Sequence, residues 1–247
     1  TMHIKTLALA LITSTLFFSC ENNTSTTTEE TTTQIDSTEI ARLNQWFADV
    51  FERNLMDYPQ FLTRLGRKDR QGELNDISEA HRFKNLEEAK NDLAELLKFD
   101  PNKLDEQTKL SFRLYKRRLE REIKYAKYDH YTYPVNQMHG IQSELPSFML
   151  NMHSIENKED ALAYVSRLNA IKPMFDQLIE NLKIRADKGI IVPKFVFGHL
   201  YNDCNNIIGD PKKVNENLFV KDLTDKLSKI ELADEEKQEI ITAAEKA

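Results

Sequence analysis

From Asp36 to Ala247 the apolar residues return at every third or fourth position, and nowhere do they alternate with polar ones for long enough to line one face of a strand. That period matches the turn of an α-helix, so the chain must bury its apolar atoms by packing helix on helix. Six Gly are also few for the turns of a sheet. Two Cys and the lack of any Cys or His pair at zinc-finger spacing remove disulfides and a structural metal as staples. The sequence predicts a mainly α fold of long antiparallel helices around a hydrophobic core, without internal repeats.

The individual helices follow from their caps and stripes. Asp36 and Glu39 form a capping box, after which Ile40, Leu43, Phe47, Val50 and Leu55 recur on one face, with Trp46 beside them, until Tyr58-Pro59. A second helix is expected from near Ser78 to Asp100-Pro101, carrying Phe83, Leu86, Ala89, Leu93, Leu96 and Leu97 inward. A third is expected from about Leu104 to Tyr128, with Leu110, Leu114 and Ile123 inward. Its charged outer face would carry Lys116, Arg117, Arg118, Glu120, Arg121 and Glu122, solvated and joined by i,i+4 pairs. Further on come Lys158 to Ile171, a kink at Pro173, continuation to Lys188 with Gly189 as C-cap, and a helix opened by Pro193. Residues 233–247 are strongly helical and hold no Gly, Asn or Pro to stop them, so the fold is expected to be truncated inside a helix.

The first forty residues have a different character. After Met2 to Lys5, the apolar run Leu7 to Phe18 is too short to span a ~30 Å hydrocarbon layer as a helix. It ends in Leu16-Phe17-Phe18-Ser19-Cys20, which resembles the lipobox of bacterial lipoproteins, although Phe18 stands where a small residue is usual. The resemblance implies cleavage after Ser19, lipidation of Cys20 and anchoring to a membrane of the cell envelope, inner or outer. Ordinary secretion, with Cys20 a bystander, is the alternative. Glu21 to Thr38 is dominated by Thr and cannot bury a core, so it reads as a disordered tether. The expected organisation is thus a signal peptide at 1–19, a tether at 20–38 and a helical domain at 39–247. Loss of residues 1–19 removes one Lys and takes the net charge from −6 to −7, so the lipid rather than charge is expected to hold the protein to a membrane. That balance, with no basic stripe evident, also argues against nucleic acid as a partner.

Chemistry is sparse in the sequence. Six His stand at 3, 81, 130, 139, 153 and 199, none followed by Glu, so H-E-x-x-H is absent and no metal or catalytic residue is assigned within this chain. His199 and Asp203 sit at i,i+4 beside Cys204, but two ligands are not a site, and a structural pair and an inert thiol are the ordinary accounts. The densest unusual region is Tyr125 to Ser147, where Tyr125, Tyr128, Tyr131 and Tyr133 crowd onto what is expected to be irregular backbone. Asn136, Gln137 and His139 follow. Tyr131, Tyr133, Asn136, Gln137 and His139 are candidates to line a groove for an extended peptide or glycan. The alternative is that this loop caps the core and its Tyr hydroxyls satisfy buried backbone. Asp129 and Glu144 are two carboxylates whose separation the sequence does not give.

Several blocks together carry a family resemblance: Leu43 to Phe47, Tyr58-Pro59-Gln60-Phe61-Leu62-Thr63-Arg64-Leu65-Gly66, Leu110-Ser111-Phe112, and above all Pro134-Val135-Asn136-Gln137 with Gly140 and Ser143 to Phe148. Tyr164, Arg167-Leu168, Gly189 and Pro193 continue them. The chain resembles the amino-terminal part of the bacterial domain-of-unknown-function family 885 (DUF885), many of whose members are envelope lipoproteins. The resemblance implies a longer helical protein of the gluzincin kind, whose later half carries H-E-x-x-P-G-H, a zinc ion and a general-base Glu. None of those positions exists here. The chain is therefore expected to form one wall of a substrate channel for peptides, with zinc and the carboxy-terminal half supplied elsewhere in the full-length protein. The competing expectation is a non-catalytic lipoprotein that binds an envelope peptide or glycan.

Overall fold

A computed structural model describes residues 35–210 and 212–247. The signal-like run, Cys20 and nearly all of the Thr-rich segment lie outside the described residues. Among those described, regular structure is entirely helical: α1 Ser37–Met56, α2 Pro59–Arg64, α3 Glu79–Leu96, α4 Glu106–Tyr125, α5 Ile141–Met152, α6 Lys158–Asp187, α7 Val196–Ile208, α8 Leu218–Leu227 and α9 Asp234–Lys246. Single 3₁₀ turns stand at Pro101–Lys103, Ala126–Tyr128 and Val214–Glu216. No helix among the described residues is long and apolar enough to cross a membrane.

Helix starts fall where short polar side chains can accept from free backbone N–H groups. Asp36 caps α1, Ser78 caps α3, Asp105 caps α4 and Asn157 caps α6. The capping box at Asp36 closes on one side alone. Glu39 pairs with Arg42 and accepts from the Asp100 N–H at 3.0 Å, while the Asp36 N–H donates to the Lys103 carbonyl at 2.8 Å. The start of α1 is thereby pinned to the turn that leads into α4. At the other end of α6, Gly189 takes φ +73°, a left-handed value that suits Gly, and its N–H donates to the Ala186 carbonyl.

Two apolar clusters result. The first joins α1, α3 and α4 through Leu43, Ala89, Leu96, Phe99, Leu104, Phe112 and Leu119, with Trp46, Phe47 and Tyr115 stacked at their edge. The second surrounds α6 with α5, α8 and α9, through Leu145, Phe148, Met149, Tyr164, Leu168, Met174, Phe219, Leu223, Leu227 and Ile240.

Three expectations are corrected. On α4 the buried face is Thr108, Phe112 and Leu119, whereas Leu110 and Leu114 are 41% and 60% exposed. The reason is angular: the stripe of Phe112, Tyr115, Leu119 and Ile123 offers more aromatic area to α1 and α3, and Leu110 and Leu114 lie on the far side of the helix. They therefore share the outer face with Arg117 and Arg121, which forms a basic stripe where none was evident from the sequence. On α3, Phe83 also points outward, beneath the Arg82 guanidinium at 4.3 Å, and Leu97, at the cap that ends the helix, is 53% exposed. Finally, the irregular backbone expected up to Ser147 ends at Gly140, where α5 begins. Gln142, Leu145, Phe148 and Met149 have helical spacing, and Pro146, inside the helix, forgoes one backbone hydrogen bond without ending it.

Candidate functional site

The short helix α2 and the connection after it shape a concave surface. Gln60 and Asn75 clamp each other: the Gln60 N–H donates to Asn75 Oδ1, and the Asn75 N–H donates to Gln60 Oε1, both at 3.1 Å. Side-chain amides of α6 continue the clamp, with Gln177 Oε1 accepting from the Ile77 N–H at 3.0 Å and Asn181 Nδ2 donating to the Ile77 carbonyl at 2.6 Å. Glu73, Asn75 and Ile77 thus bond backbone groups to the helices behind them. The backbone N–H and C=O of the intervening Leu74 and Asp76 make no hydrogen bond among the described residues.

Two open concavities flank that run and share Asn75 and Met174. One, about 390 Å³, lies between α2 and the start of α5, with Phe61, Ile141 and Leu145 as its apolar floor and Arg64 and Glu144 as its charged groups. The other, about 570 Å³, receives Leu74 and Asp76 and is lined by Gly72, Ser166, Gln177 and His81. His81 Nε2 is buried there without a hydrogen-bond partner. Hydrogen bonds from Ser78 hold the Asp76 carboxyl below the usual carboxylate range against the opposing effect of burial, so it presents a negative charge to this groove.

Beneath the groove sits a guanidinium with no exposed surface. Arg167 Nε donates to the Glu73 carbonyl at 2.9 Å, Nη2 to Thr63 Oγ1 at 2.6 Å and Nη1 to His153 Nδ1 at 2.8 Å, while the guanidinium lies over Phe148 at 4.8 Å. A guanidinium only donates, so His153 Nδ1 must accept and Nε2–H donates to the Asp160 carbonyl at 3.0 Å. His153 is thereby a neutral tautomer, and burial pushes its pKa down to about 4. Burial alone also brings Arg167 down to about 10, still charged at neutral pH. The web continues through Tyr164, whose ring meets His153 and whose hydroxyl donates to Asp222 at 2.8 Å, and Asp222 in turn holds Lys226 at 2.7 Å. Thr63, Phe148, and the pair Tyr164 and Arg167 come from three blocks of the family resemblance and meet at this one point.

The residues proposed from the sequence lie elsewhere. Tyr131, Tyr133, Gln137 and His139 are exposed on the 129–139 loop, and none of the five candidates lines the two concavities. Asn136 organises that loop, accepting from the Met138 and His139 N–H groups at 2.9 and 2.7 Å and donating to the Tyr133 carbonyl. Asp129 pairs with Arg82 at 3.3 Å, whereas Glu144 lines the groove. On α7, His199 is exposed and Asp203 accepts from Gln142. Among the described residues no three His, Cys, Asp or Glu gather as metal ligands, so the zinc implied by the resemblance does not fit this part of the chain. The groove residues Arg64, Asn75, Asp76 and His81 escaped the sequence reading, because each is an unremarkable residue until the chain folds.

The model of the family described as bacterial proteins of unknown function, DUF885, matches residues 59–247. The chain belongs to the DUF885 family. The match opens at the first residue of α2 and takes in every element of the groove and the web. A crystal structure of a candidate lipoprotein from Colwellia psychrerythraea shares the fold, with a TM-score of 0.63 at 20% sequence identity. The alignment covers 84% of this chain and 38% of that one, so this DUF885 chain spans well under half the length of the protein it matches. No curated protein matches it.

Proposed function

We propose that this DUF885 chain is the amino-terminal helical portion of a lipid-anchored envelope protein of the zinc-metallopeptidase kind, and that the groove beside α2 is one wall of its peptide channel. The observation that supports this reading is the backbone of Leu74 and Asp76, without a hydrogen-bond partner among the described residues and beside a concavity. An extended peptide can add to such an edge by main-chain hydrogen bonds, with alternate side chains entering apolar pockets. Phe61, Ile141 and Leu145 supply such a pocket, and Arg64 and Glu144 offer one charge of each sign to fix direction. The chemical step belongs to residues outside those described, and no part of it is assigned to this chain. Anchoring through Cys20 rests on the lipobox-like sequence and on the description of the Colwellia protein as a candidate lipoprotein.

The test uses the complete gene product, assayed for bound zinc and for hydrolysis of unstructured peptides. Arg64→Glu, at an exposed residue, is expected to raise KM roughly tenfold while leaving kcat nearly unchanged, because it alters binding and not chemistry. Hydrolysis with KM untouched would remove the wall from this surface. Failure to bind zinc or cleave any peptide would instead favour a non-catalytic ligand-binding lipoprotein. Separately, a Cys20→Ala protein is expected to leave the membrane fraction, and retention there would overturn the lipid anchor.

A further inference from the structure

The outer stripe of α4 serves neither cluster and no part of the groove. Leu110, Leu114, Arg117, Arg121, Tyr125 and Tyr128 follow one another at spacings of three and four, all exposed, on the side opposite Phe112 and Leu119. Residues 109–127 hold eight Lys or Arg against two Glu, a local charge of +6 in a chain whose total is −6. Among the described residues Lys109 and Lys116 alone of those eight make ion pairs, each at 3.7 Å, with Glu106 and Glu120. The other six cations have no carboxylate partner there. Past the helix end Tyr125, Tyr128 and Tyr131 stand as an exposed aromatic row, ring to ring at 6.3 and 5.7 Å. The Lys124 and Lys127 ammonium groups lie over the first two rings at 5.5 and 5.0 Å. A shallow depression of about 550 Å³ opens between Leu114, Arg117, Arg118, Arg121 and Tyr125, with Glu122 as the one acid on its rim.

We propose that this face of α4 rests on a bilayer containing anionic phospholipid, as a second membrane contact beyond the acyl chain at Cys20. Three features select that occupant. The cations are complementary to headgroup phosphates, and their long apolar stems let the charge reach upward while the stem stays low. Leu110, Leu114 and the Tyr rings are the kind of side chains that settle at the boundary between headgroups and acyl chains, and a nucleic-acid backbone would leave the two Leu uncovered. The connectivity also points the same way: Asp36 is bonded to Lys103, so the chain that leads back to Cys20 departs beside the start of α4. Fifteen residues lie between Cys20 and Asp36 and reach at most ~55 Å, ample for a helix ~30 Å long to lie on the surface that holds the lipid. The placement takes the lipid-anchor reading as its setting, while the contact itself needs no acyl chain. A protein that is acidic overall would thus meet an anionic membrane through this basic face.

The experiment is co-sedimentation of the chain from residue 20 onward, carrying Cys20→Ala, with vesicles of phosphatidylcholine and with vesicles in which part of it is replaced by phosphatidylglycerol. Binding to the anionic vesicles alone is expected, weakening with added salt. Arg117→Gln with Arg121→Gln should lower that affinity roughly twenty-fold, since each cation near an anionic surface contributes about a factor of five. Neither side chain makes a hydrogen bond or ion pair among the described residues, so the variant is expected to melt with the parent. Leu114→Ser with Tyr128→Ser should weaken vesicle binding without affecting binding to duplex DNA. Equal binding to both vesicle types, an unaltered affinity in the double Arg variant, tighter binding to DNA than to vesicles, or loss of the contact in the complete gene product would each overturn the proposal. Because the protein lacks an acyl chain, failure here is separable from failure of the lipid anchor, which membrane fractionation reads.

Discussion

Among α1, α3 and α4, burial belongs chiefly to aliphatic and aromatic side chains, and the buried Asp92 carboxylate reaches out to the half-exposed Arg53 guanidinium at 2.6 Å. Around α6 the fully buried side chains include Arg167, His153, Asp160 and Tyr164, joined to one another and to α2, α5 and α8 by directed hydrogen bonds. Both regions are helical and both are well packed. The difference is that apolar contacts among α1, α3 and α4 tolerate sliding and repacking, while the web around Arg167 has few geometries in which every donor finds an acceptor. A surface that must hold an extended segment in register gains from the second kind of support, and the groove lies directly over it.

The comparison is broken most severely at Arg167. Arg167→Ala leaves the Glu73 carbonyl, Thr63 and His153 without their donor inside the protein and should cost about 4 kcal/mol in denaturant unfolding. A loss below about 1 kcal/mol would mean that the web is no more than filling, within the ordinary range of surface changes. On α3, Leu96→Ala removes a side chain with no exposed surface and should cost about 3 kcal/mol through the lost transfer energy and the cavity left behind. That cost should be the same in mild acid as at neutral pH, because no titrating group is involved.

The pH dependence sharpens the contrast and is smaller. An unfolded chain protonates His153 near pH 6.5, and the folded protein resists until about pH 4. Within that window the unfolded state binds more protons, so stability falls as pH drops, by about 2 kcal/mol between pH 8 and pH 5. Depressed carboxyls such as Asp160 lose stability in the same direction at lower pH, as Lys68 ceases to hold an ionised partner. His153→Gln should therefore flatten the profile between pH 6.5 and 5 and leave the lower limb in place. An unchanged profile in that variant would assign the pH response elsewhere.

Much of this was legible from local patterns. Asp36, Ser78 and Gly189 marked helix ends, because capping is settled within three or four residues, and the long periodic runs of α1, α3 and α6 declared themselves. The short helix α2 and the Pro-containing α5 were hidden behind residues that usually stop helices. On α4, two stripes competed, and sequence spacing alone placed Leu110 and Leu114 on the wrong side. For the site, the Tyr and amide residues of the 129–139 loop stand out in the sequence, whereas the groove draws on Tyr58 to Arg64, Asn75 to Ile77 and Ile141 to Leu145.

The sequence by itself determined the helical class, the limits of α1 and α6 and the start of α3, the lipobox-like start and the family, since each is carried by neighbouring residues or by spaced blocks that can be matched without coordinates. Only the tertiary structure decided that Thr63, Phe148, Tyr164 and Arg167 converge, that Leu74 and Asp76 offer open backbone beside them, and that α4 turns a basic and aromatic stripe outward. Those outcomes depend on which helix faces win the competition for burial, and that competition is settled between elements as much as a hundred residues apart, where local periodicity carries no information.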